Sequence, residues 1–284
     1  MKNKIYTTFI RLGALLLLPA IVSSCLYEEP ELTADGTKGI DPTQVNIMSE
    51  ITLDMNLATL EVNNTRAASS NGYNYRFTVI AYEGKEEVAR QEIYEAVRPE
   101  QSSVSLPISM KLHARKYQLV VWADYIHNQE GNYTLFYDTS NMERILRTGS
   151  YKGNSNYYDA FYGTATLNLT PYRDQWNAIV PIDIQMARPL ARYELIATDV
   201  DKFLKKIKDK EITGSQFTIN IKYGYYLTTG FNALTGQVKH PLQYVSYSKS
   251  IPLPTEGTEE LPIGFDYVFV NGEGSFVSLT IEIT

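Results

Sequence analysis

The chain is expected to be all-β: two β-sandwiches in tandem, with one short helix. Three observations predict this. From Val45 onward, short stretches in which apolar and polar residues alternate recur, with turn residues between them. Only Asp199 to Lys210 carries a convincing helical period. Tyrosine, which suits half-buried pleated surfaces, occurs 22 times. The expected domains are residues 46–187 and 188–284, divided near Ala187-Arg188-Pro189.

Residues 1–24 read as a signal peptide. Lys2, Lys4 and Arg11 precede the apolar run Leu12 to Val22, which is shorter than the ~20 residues a membrane span needs. Val22-Ser23-Ser24-Cys25 resembles a bacterial lipobox, which implies that Cys25 becomes the first mature residue and carries lipid. The other reading is an ordinary signal peptide that happens to be followed by cysteine. Cys25 is the only cysteine, so no intrachain disulfide is expected and stability must come from apolar cores. Residues 25–45 are rich in turn formers and charges and read as a tether.

The strands follow in order. Ile51, Leu53, Met55 and Leu57 alternate with polar residues, and Leu60 and Val62 extend that first strand. The polar loop Asn63 to Gly72 ends it. Tyr75–Tyr82 and Glu87–Tyr94 flank a short loop containing Gly84 and predict a hairpin. Ser103–Met110 alternates. Lys116–Tyr125 is almost continuously apolar, as a strand central to its sheet would be. Residues 126–163 form the longest irregular stretch, with one helical turn expected at Met142–Leu146. Thr164–Leu169, Asn177–Met186 and Ala191–Ala197 are further strands, the second alternating, with Ile179, Ile182, Ile184 and Met186 as its apolar members. In the helix, Val200, Phe203, Leu204 and Ile207 form one stripe. Thr198 and Asp201 fit a capping box, and Lys205, Lys206 and Lys208 suit the C-terminal end. Phe217–Leu227, Val245–Leu253, Tyr267–Val270 and Phe276–Thr284 complete the strands.

Several chemistries find no support. The net charge is −6 and no Lys/Arg stripe appears, so nucleic acid is not an expected partner. His113, His127 and His240 do not stand at metal-ligand spacing from one another. No nucleophile elbow, phosphate loop or dinucleotide glycine pattern occurs. No catalytic residue, metal or cofactor is therefore expected. Asp124, between Trp122 and Tyr125, is the best single carboxylate for sugar chemistry, though such a residue more often closes a strand.

His113 to Tyr125, Asp159-Ala160-Phe161-Tyr162-Gly163 and Met186 to Leu195 together resemble fimbrillin-type lipoproteins of Bacteroidota, the subunits and anchors of type V pili. The resemblance spans roughly residues 20–270 and implies two tandem transthyretin-like β-sandwiches. It implies a lipoprotein exposed at the outer-membrane surface, with Glu28-Glu29 resembling an acidic export signal or serving as a plain charged linker. In that family a protease cuts after an Arg that follows the first strand. The opened groove is then filled by a neighbour's C-terminal strand. Arg66 and Ala67 would flank that cut here, unless Arg66 is an ordinary loop arginine. Anchors of the family are not cut. Because the chain stops at Thr284 inside its last strand, a donor strand would have to come from Phe276–Thr284, which favours an anchor or accessory subunit. The expected function is adhesion without enzymatic activity, with fimbrial subunits as partners through strand complementation and the outer membrane as anchor. The alternative is a carbohydrate-binding surface lipoprotein that meets host or bacterial surface glycans on Trp122 and Trp176.

Overall fold

A computed structural model describes residues 44–54, 72–96, 103–129, 132–173, 175, 177–272 and 276–284. In chain order its strands are β1 (Gln44–Asp54), β2 (Tyr73–Glu83), β3 (Glu86–Ala96), β4 (Ser103–His113), β5 (Lys116–Gln129), β6 (Asn132–Leu135), β7 (Tyr137–Asp138), β8 (Ile145–Arg147) and β9 (Ala160–Asn168). They continue with β10 (Asn177–Ala178), β11 (Ile182–Gln185) and β12 (Leu190–Ala197), then the helix α1 (Val200–Lys208). The last are β13 (Gln216–Tyr223), β14 (Leu227–Asn232), β15 (Gln237–Leu242), β16 (Ser246–Pro252), β17 (Leu261–Phe269) and β18 (Leu279–Ile283). The fold is mostly β, as expected, and α1 is the one α-helix among the described residues. Val45–Thr284 forms one compact unit.

β5 organises the first half. β2 runs antiparallel along one edge, from Tyr73 opposite His127 to Tyr82 opposite Gln118. β9 and β6 share the other edge. Both faces of β5 are covered too, by different partners. Leu119, Val121 and Ala123 join a core with Phe77, Val79, Leu106 and Ile184. Val120 and Trp122 point the other way, into a core with Tyr137, Leu190, Phe231, Tyr267 and Phe269. A strand buried on both faces has no reason to alternate, hence the continuous apolar run.

That second core draws on residues from either side of position 187. So does a sheet, in the order β15-β14-β8-β7, where Gly230 pairs with Leu146 and Phe231 with Ile145. Within residues 126–163, expected to be irregular with one helical turn at Met142–Leu146, β7 and β8 instead form a short hairpin that completes this sheet.

β1 lies inside its own sheet. It pairs with β4 on one edge and, in parallel, with β10 and β11 on the other. Its described span starts and stops earlier than the expected Ile51–Val62. Met55, Leu57, Leu60 and Val62 lie outside the described residues.

Three local expectations need correction. Asn177–Met186 is not one strand with Ile179 inside: Ile179 is 81% exposed, and the buried set is Ala178, Val180, Ile182, Ile184 and Met186. Pro181 has no N–H for the ladder, so pairing lapses between β10 and β11 while the inward face continues on even positions. The helix is shorter than expected at both ends. Its N-cap is Asp199, which makes no side-chain capping bond, so the Thr198–Asp201 box is not formed. α1 docks by burying Val200 and setting Phe203 edge-on to Phe217, with ring centroids 5.3 Å apart.

Gly163, the glycine of Asp159–Gly163, lets β9 lie against β11. A Cβ there would stand 2.5 Å from Ile184 Cγ2 and 2.8 Å from the Gln185 carbonyl. The neighbouring Tyr162 and Ala187 exchange backbone hydrogen bonds of 2.9 and 2.8 Å.

Candidate functional site

Cys25, Arg66, Ala67 and Trp176 lie outside the described residues. Trp122 is described, and its expected role as an exposed platform is corrected: the ring is fully buried, edge-on to Tyr137 and tilted against Phe231. It faces inward because it sits on the β5 face that the second half of the chain covers.

Asp124 is buried as well and serves the fold. Arg76 stands opposite it across β2 and β5 and grips it with two hydrogen bonds, Nε to Oδ1 at 2.9 Å and Nη2 to Oδ2 at 2.6 Å. Nη2 also donates to the Tyr137 carbonyl at 2.9 Å. Burial pushes the Asp124 carboxyl up to about 6, against the pull of Arg76. Both Asp124 oxygens, and Arg76 Nε and Nη2, are thus engaged within the protein. Asp159 is held in a similar way by Arg188 Nε at 3.0 and 3.1 Å, and burial likewise raises it to about 6.

A larger polar cluster was not legible beforehand. Asp266, buried on β17, accepts from Tyr151 Oη at 2.6 Å and from Tyr223 Oη at 2.5 Å. Arg147 faces it at 3.4 Å and also donates to the Tyr267 carbonyl. Tyr193 Oη links Tyr223 at 2.7 Å to Tyr247 at 3.2 Å, and Tyr247 donates to the Phe265 carbonyl. Burial pushes the Tyr151, Tyr223 and Tyr247 hydroxyls far above the usual range, so they remain protonated donors. The loop 149–156 is shaped to reach this cluster. Asn154 adopts a left-handed backbone with φ 56° and exchanges hydrogen bonds with Phe265, while a side chain on Gly153 would enter the Tyr247 ring. The cluster fixes the loop before β9 to the sheet around β17. The signal for it was the tyrosine excess, but partners such as Arg147 and Asp266 stand 119 positions apart.

Among the described residues, no group of three or more His, Cys, Asp or Glu could hold a metal ion, and no helix is long and apolar enough to cross a membrane. The most suggestive feature is the arrangement of chain ends. β1 fills an interior slot between β4 and β11, followed in the sequence by the stretch that contains Arg66. β18 runs antiparallel to β13, from Leu279 opposite Tyr223 to Ile283 opposite Ile219. Thr284 and Thr218 exchange backbone hydrogen bonds of 2.9 and 2.7 Å.

Residues 42–284 match the model of a family described as Family of unknown function (DUF6562). No curated protein matches the chain. Among solved structures, a candidate cell adhesion protein of Bacteroides ovatus is 16% identical, covering 86% of this chain and 83% of its own, with a TM-score of 0.38. A candidate cell adhesion protein of Parabacteroides distasonis is 12% identical, with 83% and 74% covered and a TM-score of 0.45. The tip fimbrial protein Mfa3 of Porphyromonas gingivalis, with C-terminal truncation, is 11% identical, with 80% and 68% covered and a TM-score of 0.35.

Proposed function

We propose that this chain, which belongs to the DUF6562 family of unknown function, is a surface-attached fimbrial component, an anchor or accessory subunit used in adhesion. It would be held to the outer membrane by lipid on Cys25 and joined to other subunits by strand addition. The observation that carries the reading is the place of β1. It is an interior strand, flanked by β4 and by β10 and β11. Releasing an interior strand leaves two unpaired edges facing one slot, which an added strand of alternating apolar residues fits. The tandem sandwiches of transthyretin type belong to this reading, with strands from both halves closing the shared sheet.

β18 sits paired within its own chain, which fits the anchor role. Its five residues are already paired with β13. To donate them the chain would have to give up that pairing.

The test is to place a specific protease site at Arg66–Ala67 and cut the purified chain. Loss of β1 exposes the place of Ile47, which is fully buried, and separates β4 from β11. The cut form should lose stability and regain it on adding a peptide with alternating Ile, Leu and Val. A cut chain that releases β1 and keeps its full stability contradicts the slot.

A further inference from the structure

Aromatic side chains on neighbouring loops of the C-terminal half stand open to water. Tyr225 is 90% exposed, Tyr226 64%, Tyr244 91% and Phe276 97%. Most described tyrosines elsewhere are buried or half-buried, so this is a departure within the same chain. The backbone beneath them is tied down. Tyr223 N–H donates to the Val245 carbonyl at 2.9 Å, which sets the loop with Tyr225 and Tyr226 beside the loop with Tyr244. Gly224 N–H donates to the Ser278 carbonyl at 2.7 Å and brings in the segment with Phe276. Leu227 pairs with Leu242 across β14 and β15. Tyr223 itself is fixed from inside by Asp266. The rings are thus carried on a held base, and the fold leaves them uncovered.

We infer that this cluster is a contact site for the neutral sugar rings of a surface glycan. The inference rests on the adhesion reading above. Charge argues for it first: residues 223–227, 241–248 and 276–281 contain no Asp, Glu, Lys, Arg or His. Lys222, which borders the patch, is already bound to Glu282 at 2.6 Å, so a phosphate headgroup or an acidic polymer would find no unpaired cation in these stretches. Size argues next. The patch is a handful of side chains on loop tips, whereas a stable protein interface engages about 20–30 residues a side. A short oligosaccharide matches it. The chemistry agrees. The negative face of an aromatic ring attracts the weakly positive C–H bonds on the flat face of a pyranose. The phenol hydroxyls and the exposed Gln243, Ser246 and Ser278 can hydrogen-bond its hydroxyls. Tyrosine has few rotors to freeze on contact.

The test uses the full chain in detergent on an array of defined neutral oligosaccharides with their sialylated and sulfated counterparts, and on mucin before and after enzymatic deglycosylation. The unaltered chain should bind neutral glycans and intact mucin, and raised salt should not weaken it. The double variant Tyr225→Ala/Tyr244→Ala should lose about tenfold or more, as expected for stacked rings removed. Because these rings pack on little, its urea midpoint should match that of the unaltered chain. Tyr94→Ala, which removes an exposed ring stacked on Tyr133 at another place, should leave binding unchanged. No bound neutral glycan, binding confined to charged glycans, binding unaffected by the double variant, or equal capture of deglycosylated mucin each overturns the glycan site. Such a failure in a chain that still co-purifies with surface filaments leaves the fimbrial reading standing; absence from filaments and membrane strikes at that reading instead.

Discussion

Removing the Asp266 carboxylate should be among the most damaging single changes available in this fold. Asp266→Ala takes from Arg147 the buried carboxylate it faces at 3.4 Å, and the Arg147 side chain is just 6% exposed. Breaking a buried ion pair from one side costs ~3–5 kcal/mol, because a charge remains in a dry place. Tyr151 and Tyr223 lose an acceptor as well. Each such bond is worth ~1 kcal/mol net. Tyr223 can still turn to Tyr193, which recovers part of this. The expected loss is therefore ~4–6 kcal/mol, a large share of the ~5–15 kcal/mol that holds a typical domain. Asp266→Asn keeps the shape and an acceptor and should cost less. The comparison is Glu83→Ala, which breaks an ion pair with Arg115 whose side chains are 39% and 59% exposed. That change should cost ~0–1 kcal/mol. Urea unfolding followed by far-UV circular dichroism reads all three. If Asp266→Ala unfolds within ~1 kcal/mol of the unaltered chain, the cluster does not join the halves as described.

Gly163→Ala should destabilise by ~1–3 kcal/mol, since the new methyl meets Ile184 and the Gln185 carbonyl across β9 and β11; an unchanged urea midpoint would show that the strands can part freely. Asp159 predicts a pH effect. Its carboxyl is raised from 3.8 to about 6 in the folded chain, so the folded state holds a proton that the unfolded state has released. Stability from this group is full below 3.8 and falls as pH rises through the window to about 6. Asp159→Asn should flatten the melting temperature across that window, leaving a residual slope from Asp124, and an unaltered slope would contradict it. Cys25→Ser should abolish lipidation and membrane attachment, as read by metabolic labelling with a fatty acid; undiminished label rejects the lipobox.

The strands were legible because alternation is written locally, and β5 stood out because it lacks alternation. What covers its second face was not legible, since Phe231 and Tyr267 lie more than a hundred positions further along the chain. The same distance hid the buried end of Trp122, which local composition could equally place on a surface. Ile179 shows how little separates two registers. A one-residue choice of face moved it from core to solvent, and Pro181 was the residue that should have decided it. Tyrosine carried a real signal that sequence alone could not sort. The same residue type closes the buried cluster at Tyr151, Tyr193, Tyr223 and Tyr247 and forms the open tip at Tyr225, Tyr226 and Tyr244. Burial in the folded chain tells them apart.

The fimbrial account is tested most directly on native material. Surface filaments and the outer-membrane fraction of expressing cells are separated, and the N-terminus of this chain in each is read by mass spectrometry. The account predicts that the chain co-purifies with filaments and begins at a lipidated Cys25. A start at Ala67 within filaments would make it a polymerising subunit and overturn the anchor. A chain that carries no lipid and is missing from both fractions would contradict the surface-attached fimbrial role altogether.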